Sequence, residues 1–367
     1  MKVLRTPDNR FNDLCGFPFN PNYTEVDDFE GGAIRMHYID EGPSNGELII
    51  CMHGQPSWSY SFRKMISPLT SAGCRVIVPD LVGFGRSDKP SKRSDYSVSR
   101  HVNWFKQFIN NLSLKNITIL CHDWGGPISL RVVAENPEKF SRVIATNTGF
   151  PDSRGVPLEK SALLRKLLAD TPALSFLDMI KTALKNENPK KPRTMTEQTQ
   201  DAASGRDPRP PFMYWIRHCD AFPDFDPGDI ISHWVNECSA EEKRAYSAPF
   251  PSEEFMQGAR EFPSLIPLFP DDPALSDNRA AWEKLRTFKK PFLTAYSDSE
   301  SQAPAIQFQQ EIPYCSDPII KAKLFSGLKL LISFLASGFN NIIWYLFFKR
   351  SSMILELVSL YLFIVNK

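Results

Sequence analysis

The sequence predicts an α/β protein, in which a mostly parallel β-sheet carries helices on both faces and a helical segment is inserted late in the chain. Short apolar runs typical of buried strands alternate with segments of helical spacing, first in the N-terminal part and again near residue 290. Between these parts the alternation stops, and Pro-rich joints separate short helical patterns. With 367 residues, 42% of them hydrophobic, the chain is long enough to bury a large core.

Six segments are predicted to be strands. The first, around residues 35–41, alternates polar and apolar side chains and is expected to be antiparallel. The others are continuous apolar runs, as expected for central strands buried on both faces: residues 48–53, 75–80, 117–122, 142–147 and 291–297. Helical spacing between the strands predicts helices over residues 61–73, 98–112 and 126–137.

The pattern divides the chain into four parts. Residues 1–149 are predicted to form the first part of the sheet core, residues 150–275 an inserted helical cap, and residues 276–315 the second part of the core. Within the cap, residues 185–210 are polar and rich in Pro, Lys and Thr, which predicts a mobile surface loop. Residues 316–367 form an atypical apolar tail.

The tail differs in composition from the rest of the chain. Nineteen uncharged residues, 330–348, lie between Lys329 and Lys349, close to the roughly 20 residues that span a bilayer. Asn340 and Asn341 stand in the middle of this stretch and would be costly inside a membrane. Three interpretations stay open: a spanning helix, a segment that lies on a membrane or aggregates, and an element packed on the core. Membrane association through residues 330–348 is therefore an open expectation.

Charge and cysteine content bear on the partners and the compartment. Lys and Arg number 43 and Asp and Glu 42, and no basic stripe is interleaved with aromatic residues, so no nucleic-acid partner is expected. The seven cysteines contain no Cys-x-x-Cys pair, which indicates reduced thiols. The polar N-terminal stretch lacks the apolar run of a signal peptide. These features predict a cytoplasmic protein.

The segment CHDWGG, residues 121–126, carries the strongest chemical signal. It follows a predicted strand, and Gly125 and Gly126 supply the small residues that a sharp strand-to-helix turn requires. Such a turn would lift the side chain of Asp123 clear of the sheet edge. A carboxylate is already ionised near neutral pH and can attack carbon without a base to activate it. A helix N-cap is the alternative role for this residue.

A second turn, HGQP at residues 53–56, follows another predicted strand. Gly54 lets the chain turn tightly, so that the backbone N–H groups after it can face the carboxyl edge of the sheet. Oxyanion holes are built from N–H groups in this position. An ordinary strand-to-helix turn is the alternative, but two such turns at neighbouring strand ends favour an active site.

These two turns and three further segments resemble the haloalkane dehalogenase family of the α/β-hydrolase superfamily, over about residues 1–315. The matching segments are VLRTPDNRFNDLCGFPF, HGQPSWSYSFRKM, VIVPDLVGFGRSDKP, NITILCHDWGG and SAPFPSEEFMQGAREFP. The resemblance implies the α/β-hydrolase fold with a helical cap. It also implies hydrolysis of a small apolar halogenated substrate by water through an aspartyl ester, with release of a halide ion and with no metal or organic cofactor.

The resemblance further implies roles for individual residues. Asp123 would be the nucleophile, and the backbone N–H groups of Gln55 and Trp124 would be the oxyanion donors. The indole N–H groups of Trp124 and of Trp215, which lies in the cap segment PFMYWIRHCDAF, would hold the halide. An indole N–H donates and cannot accept, which suits an anion in an apolar pocket. A core aromatic is the alternative for Trp215.

The acid and the base of the family's triad depart from the family pattern. After the sixth strand the chain has Asn147, whereas after the seventh it has AYSDSESQAP, so Asp298 and Glu300 are the candidate acids. Glu300 aligns best, although the family is expected to have Asp there, followed by Pro. The family's base is a histidine near the C-terminus, and no histidine follows His233. His218, in the cap segment, is expected on the surface.

Three functions therefore stay open. The first is a haloalkane dehalogenase-type hydrolase whose turnover is in doubt without the C-terminal histidine. The second is an epoxide hydrolase, which shares the HGxP and HDWG segments but needs cap tyrosines to protonate the epoxide oxygen. In this chain Tyr214 is a single tyrosine beside Trp215. The third is a catalytically inactive, membrane-associated form.

Overall fold

The computed structural model describes residues 1–186, 193–206, 209–235, 237–296 and 302–316. The described strands are β1 (Val3–Leu4), β2 (Asn22–Asp27), β3 (Ala33–Glu41), β4 (Leu48–Met52), β5 (Arg75–Pro79), β6 (Lys89–Pro90), β7 (Ile117–His122), β8 (Phe140–Thr146), β9 (Phe292–Ala295) and β10 (Cys315–Ser316). The described α-helices are α1 (Arg63–Ser71), α2 (Val98–Asn111), α3 (Gly125–Glu135), α4 (Ser161–Ala169), α5 (Phe176–Asn186), α6 (Met195–Ala203), α7 (Pro211–Ala221), α8 (Pro227–Trp234), α9 (Ala240–Ser247), α10 (Gln257–Glu261), α11 (Leu275–Leu285) and α12 (Ala303–Glu311).

One sheet of eight strands forms the centre of the molecule, in the order β10-β9-β8-β7-β4-β5-β3-β2. β3 runs antiparallel to β2 and to β5, and the other neighbouring pairs are parallel. The remaining two strands, β1 and β6, form a separate antiparallel pair. The predicted α/β fold with a mostly parallel sheet is confirmed, and the early strand is antiparallel as predicted.

Both faces of the sheet are buried, which explains the continuous apolar runs. In β4, Ile50 and Met52 belong to the large hydrophobic cluster on one face, whereas Ile49 and Cys51 belong to the cluster on the other. Successive side chains of a strand point to opposite faces, so a strand covered on both sides needs an apolar residue at every position. β4 and β7 are neighbours in the middle of this sheet, and the turns that follow them meet at the same edge.

Two features differ from the sequence prediction. Strand β2 was not predicted, because it pairs only with β3 at the sheet edge and its mixed sequence NYTEVD has only one fully buried residue, Val26. The prediction of a mobile surface loop over residues 185–210 is wrong for residues 195–203, because these residues form α6. Thr194 and Glu197 make a capping box that starts this helix, and its Ala202 and Ala203 are buried.

The predicted apolar tail lies outside the described residues, apart from Ser316, and so do the candidate acids Asp298 and Glu300. In the part of the chain that the structure describes, no helix is both long and apolar enough to cross a membrane.

A buried ion pair ties α1 to α9, which lies in the predicted cap. Arg63 donates to Glu242 Oε1 at 2.5 Å, and the two side chains are 3% and 7% exposed. Arg63 also donates to the Tyr60 carbonyl and the Tyr246 hydroxyl, and its guanidinium lies over the Tyr60 ring. Removing one partner of such a pair leaves the other charge buried without compensation.

We expect Glu242→Ala to lower the free energy of unfolding by about 3 kcal/mol, since Arg63 stays buried and Glu242 also closes the capping box of α9. Urea denaturation measures this change. The neighbouring and exposed Glu241 supplies the control, since Glu241→Ala should cost less than about 0.5 kcal/mol. Equal losses in the two variants would contradict the contribution of the pair.

Glu261, at the end of α10, is a half-buried carboxyl that makes no hydrogen bond or ion pair with the described residues. Burial raises its pKa to about 7, while Arg93 lowers this pKa and Asp220 raises it further by smaller amounts. A carboxyl whose pKa is higher in the folded state than in the unfolded state favours folding at low pH, and this contribution disappears as the pH rises.

The stability contributed by the protonated carboxyl of Glu261 should be complete below about pH 4.3, the usual pKa of an unfolded Glu, and lost as the pH rises through about 7. Glu261→Gln removes this titration, so the variant should gain stability relative to the parent chain as the pH rises across that window. Unfolding free energies from urea curves at several pH values test this. The exposed Glu254 provides the control variant, Glu254→Gln. An unchanged pH dependence in Glu261→Gln would refute the assignment.

Candidate active site

Asp123 stands on a sharp turn between β7, which ends at His122, and α3, which begins at Gly125. Its φ of +49° lies in the left-handed region, which costs energy for a residue with a Cβ. Two hydrogen bonds hold the Asp123 carbonyl in place, from the Gly126 N–H at 2.9 Å and from the Thr148 hydroxyl at 2.6 Å. The turn predicted from CHDWGG is therefore present.

Glycine is required at two positions because other side chains approach the backbone closely there. A Cβ on Gly54 would lie 2.2 Å from Asp123 Oδ1, and a Cβ on Gly126 would lie 1.9 Å from the Thr148 hydroxyl oxygen. Either contact is shorter than van der Waals distance allows. The local sequence thus makes room for the carboxylate of Asp123 at the sheet edge.

The backbone N–H of Gln55 donates to Asp123 Oδ1 at 2.7 Å. This bond joins the turn after β4 to the turn after β7, as expected from two parallel neighbours whose carboxyl ends meet at one edge. The other carboxylate oxygen, Oδ2, has no hydrogen-bond partner among the described residues. The structure therefore brings together the predicted nucleophile and one of the predicted oxyanion donors.

A cavity of about 270 Å³ opens beside the carboxylate of Asp123. Asp123, Trp124 and Trp215 all line it, whereas Gln55 does not. Apolar residues such as Phe212 form much of the remaining lining. Among the described residues, no group of three His, Cys, Asp or Glu side chains could hold a metal ion.

Two tryptophans that line the cavity differ from the buried tryptophans elsewhere. Trp58, Trp104 and Trp282 each donate their indole N–H to a backbone carbonyl. Trp124 is 4% exposed, yet its indole N–H, like that of Trp215, has no acceptor among the described residues. Neither of these indole nitrogens is fully buried, and both residues line the cavity, so the two donors are available to a ligand there.

Trp215 lies on α7 in an aromatic cluster and is half-buried. Its ring stacks on His218 with centroids 5.7 Å apart, and it also contacts Trp234 and Phe176. The expectation that His218 lies on the surface is wrong. His218 is 2% exposed, because its Nδ1 bonds the Leu174 carbonyl and its ring packs between Trp215 and Phe222.

The six histidines of the chain all fall within the described residues: His37, His53, His101, His122, His218 and His233. None of them lines the cavity beside Asp123.

Burial lowers the pKa of two histidines near the site, His53 and His101. His53 accepts from the Leu81 N–H at Nε2 and bonds the Gly54 carbonyl through Nδ1, and burial lowers its pKa. These two bonds fix the neutral tautomer and occupy both ring nitrogens. Burial among aromatic rings lowers the pKa of His101 to about 3, and neither of its ring nitrogens has a partner. Neither ring is free to take a proton from water at the cavity.

Sequence reasoning missed two residues that support the turn. The Thr148 hydroxyl bonds the Asp123 carbonyl, and the Tyr296 hydroxyl in turn donates to the Thr148 carbonyl. Thr148 follows β8 and Tyr296 follows β9, so both stand at the carboxyl ends of strands that lie beyond β7. Polar residues directly after consecutive parallel strands were the signal that could have identified them.

Comparison with known proteins shows the family and the fold. Residues 47–210 match the family model described as alpha/beta hydrolase fold. A haloalkane dehalogenase from Psychrobacter cryohalolentis is 42% identical over 300 residues, covering 82% of this chain and 82% of that protein. A haloalkane dehalogenase from Mycobacterium marinum is 36% identical over 300 residues, covering 82% of this chain and 84% of that protein.

A solved structure is also similar over most of its length. The haloalkane dehalogenase DpaA from Paraglaciecola agarilytica NO2 has a TM-score of 0.65 and 30% identity, and the match covers 86% of this chain and 90% of that one. The sheet, the turn at Asp123 and these relatives agree on one assignment. The chain belongs to the haloalkane dehalogenase family and is a haloalkane dehalogenase-like hydrolase with the α/β-hydrolase fold.

Proposed function

We propose that this chain cleaves the carbon–halogen bond of small apolar halogenated compounds, with the carboxylate of Asp123 as the attacking group. The observation that carries the proposal is the cavity of about 270 Å³ that Asp123 shares with two tryptophans whose indole N–H groups have no acceptor among the described residues. A carboxylate beside anion donors suits a reaction that displaces a halide.

The first step follows from the hydrogen bonds of Asp123. Its Oδ1 accepts the Gln55 N–H, so Oδ2 is the oxygen that attacks the halogen-bearing carbon. The new C–O bond makes an alkyl ester of Asp123, and the C–X bond breaks with its electron pair on the halide. The indole N–H groups of Trp124 and Trp215 stabilise the negative charge that develops on the leaving halide.

The second step, hydrolysis of the ester, needs a base to take a proton from water. Charge would then develop on the ester carbonyl oxygen, where the N–H groups of Gln55 and Trp124 are the proposed donors. None of the chain's six histidines lines the cavity, and residues 234–367 contain no histidine. Asp298 and Glu300 remain the candidate acids. We therefore propose that the first step proceeds and the second is slow.

We do not propose the epoxide hydrolase reaction. It needs tyrosine hydroxyls free to donate a proton to the epoxide oxygen. Tyr214 does not line the cavity, and the hydroxyl of Tyr296, which does, donates to the Thr148 carbonyl.

A cytoplasmic location is part of the proposal, because all seven cysteines are free thiols. A membrane contact would depend on residues 330–348, outside the described part of the chain. Sedimentation with and without lipid vesicles would test that contact.

Exposure of the full-length chain to 1-bromobutane should release about one bromide per site and leave a butyl ester on Asp123. Loss of general-base help slows ester hydrolysis by roughly 100- to 10,000-fold, whereas attack by the carboxylate needs no such base. Bromide release counts the turnovers, and peptide mass spectrometry locates the label.

Asp123→Asn is the control for this labelling, because the amide lacks the attacking carboxylate. Sustained release of many bromides per site would refute the slow second step while leaving the first intact. A folded chain that acquires no butyl group at Asp123 would refute the nucleophile.

Trp215→Phe should weaken bromide binding and slow butylation of Asp123, with little change in the thermal unfolding midpoint. Removal of one donor aimed at developing charge costs about 3 kcal/mol, on the order of 100-fold in rate. Calorimetric titration with bromide and the rate of labelling measure the two effects.

Trp234→Phe is a matched control, because Trp234 packs against Trp215 in the same aromatic cluster but does not line the cavity. If both variants bind bromide as the parent chain does, the indole of Trp215 has no part in halide binding.

A further inference from the structure

The side chain of Gln55 makes contacts that its backbone role does not require. Its Nε2 donates to the Ala259 carbonyl of α10 at 2.6 Å and approaches Cys219 Sγ of α7 at 3.5 Å. The side chain is buried at this junction, where Gln55 is 5% exposed and Cys219 and Ala259 are fully buried. One residue therefore touches the carboxylate of Asp123 through its N–H and two helices through its amide group.

Cys219 stands four residues after Trp215 on α7, so the two side chains occupy the same face of that helix on successive turns. The end of α7 is also fixed from α10, since Arg260 donates to the carbonyls of Cys219 and Phe222. Gln55 and Arg260 thus hold the same part of α7, one from the turn after β4 and the other from α10. The position of the Trp215 indole depends on where this part of α7 lies.

We propose that the side chain of Gln55 is a positioning residue, which sets the place of Trp215 relative to Asp123 by anchoring α7 and α10 to the turn after β4. This inference rests on the proposed function of the site, in which Trp215 binds the leaving halide. Three contacts connect Asp123 to Trp215. The Gln55 N–H bonds Asp123 Oδ1, the Gln55 side chain contacts Cys219, and Cys219 lies one helical turn from Trp215.

The burial of the amide makes the anchor stiff. A buried hydrogen bond holds its partners closely because water cannot replace it without cost. Displacement of a binding group by about 1 Å can cost on the order of 100-fold in rate. A change at the Gln55 side chain should therefore act on halide binding although its amide group does not line the cavity.

Gln55→Met tests the inference, because methionine is similar in length, keeps the backbone N–H that bonds Asp123, and lacks the amide donor. Its dissociation constant for bromide should rise by about 3- to 10-fold, the size expected if the loss of one buried hydrogen bond is passed on to the position of Trp215. The bromobutane concentration that half-saturates butylation should rise as well.

Gln200→Met is the matched control. Gln200 also donates its Nε2 to a backbone carbonyl at 2.6 Å, that of Arg154, but it does not line the cavity and makes no hydrogen bond to α7 or to Asp123. Its loss should leave bromide binding unchanged. An increase in the bromide dissociation constant of the same size in both variants would overturn the proposal, because it would reflect a general loss of packing.

A double-mutant cycle with Trp215→Phe separates positioning from a general effect on the site. If Gln55 acts through Trp215, Gln55→Met should change bromide binding much less once the indole is absent. Additive effects of the two substitutions would overturn the proposal. Cys219→Ala, which removes only the α7 contact, should shift bromide binding in the same direction and provides the test if Gln55→Met does not fold.

Failure of the inference differs from failure of the proposed function. If the parent chain binds no bromide and acquires no butyl group, the proposed function is wrong. If the parent chain does both, and Gln55→Met and Cys219→Ala match it in bromide affinity, the positioning role alone is wrong.

Discussion

Asp123 has a φ of +49°, and most features of the site serve to keep it there. The Gly126 N–H and the Thr148 hydroxyl hold its carbonyl, while Gly54 leaves space for its carboxylate. The turn in this conformation lifts a charged side chain out of a sheet that is buried on both faces. If Asp123 had ordinary strand geometry, its carboxylate would point into the apolar face of the sheet. If it had ordinary helix geometry, its carboxylate would point into the helices that cover the sheet.

The site joins two kinds of support. Asp123 comes from the turn after β7 and the N–H of Gln55 that bonds it comes from the turn after β4, and pairing of these neighbouring strands fixes both turns. Trp215 comes from α7, far along the chain, and its placement relies on side-chain contacts at Cys219 and on the aromatic cluster around Phe176. The first kind of support is set by backbone pairing, and the second by packing between helices. Substitutions remote from the cavity can therefore shift Trp215 more readily than they shift Asp123.

How far the sequence predicts this molecule depends on whether a feature is local. The strands buried on both faces and the turn at Asp123 can be predicted from short stretches of sequence. A continuous apolar run reflects burial on both faces, and the two glycines after Asp123 reflect the tight turn. Strand β2 lies at the sheet edge, and its mixed polar and apolar sequence does not indicate a strand. Helix α6 begins with a capping box inside a polar segment, whose composition favours a loop. Thr148 and Tyr296 could have been found as polar residues that directly follow parallel strands. The burial of His218, by contrast, depends on contacts with Leu174 and Phe222 that its own segment does not reveal.

The region that carries Trp215, residues 147–291, lies between β8 and β9 in the sequence. These two strands are nevertheless direct neighbours in the sheet. With respect to sheet formation, residues 147–291 act as one long loop, because the pairing of β8 with β9 fixes both of its ends. Loop-closure entropy grows slowly with length, by about 0.6 kcal/mol for each doubling. Added length in the surface loops of this region therefore costs the sheet little closure entropy, whereas loss of its packed helices would remove contacts such as the buried pair of Arg63 and Glu242. Loop length around the cavity can thus vary, while pairing within the sheet holds the turns after β4 and β7 in place.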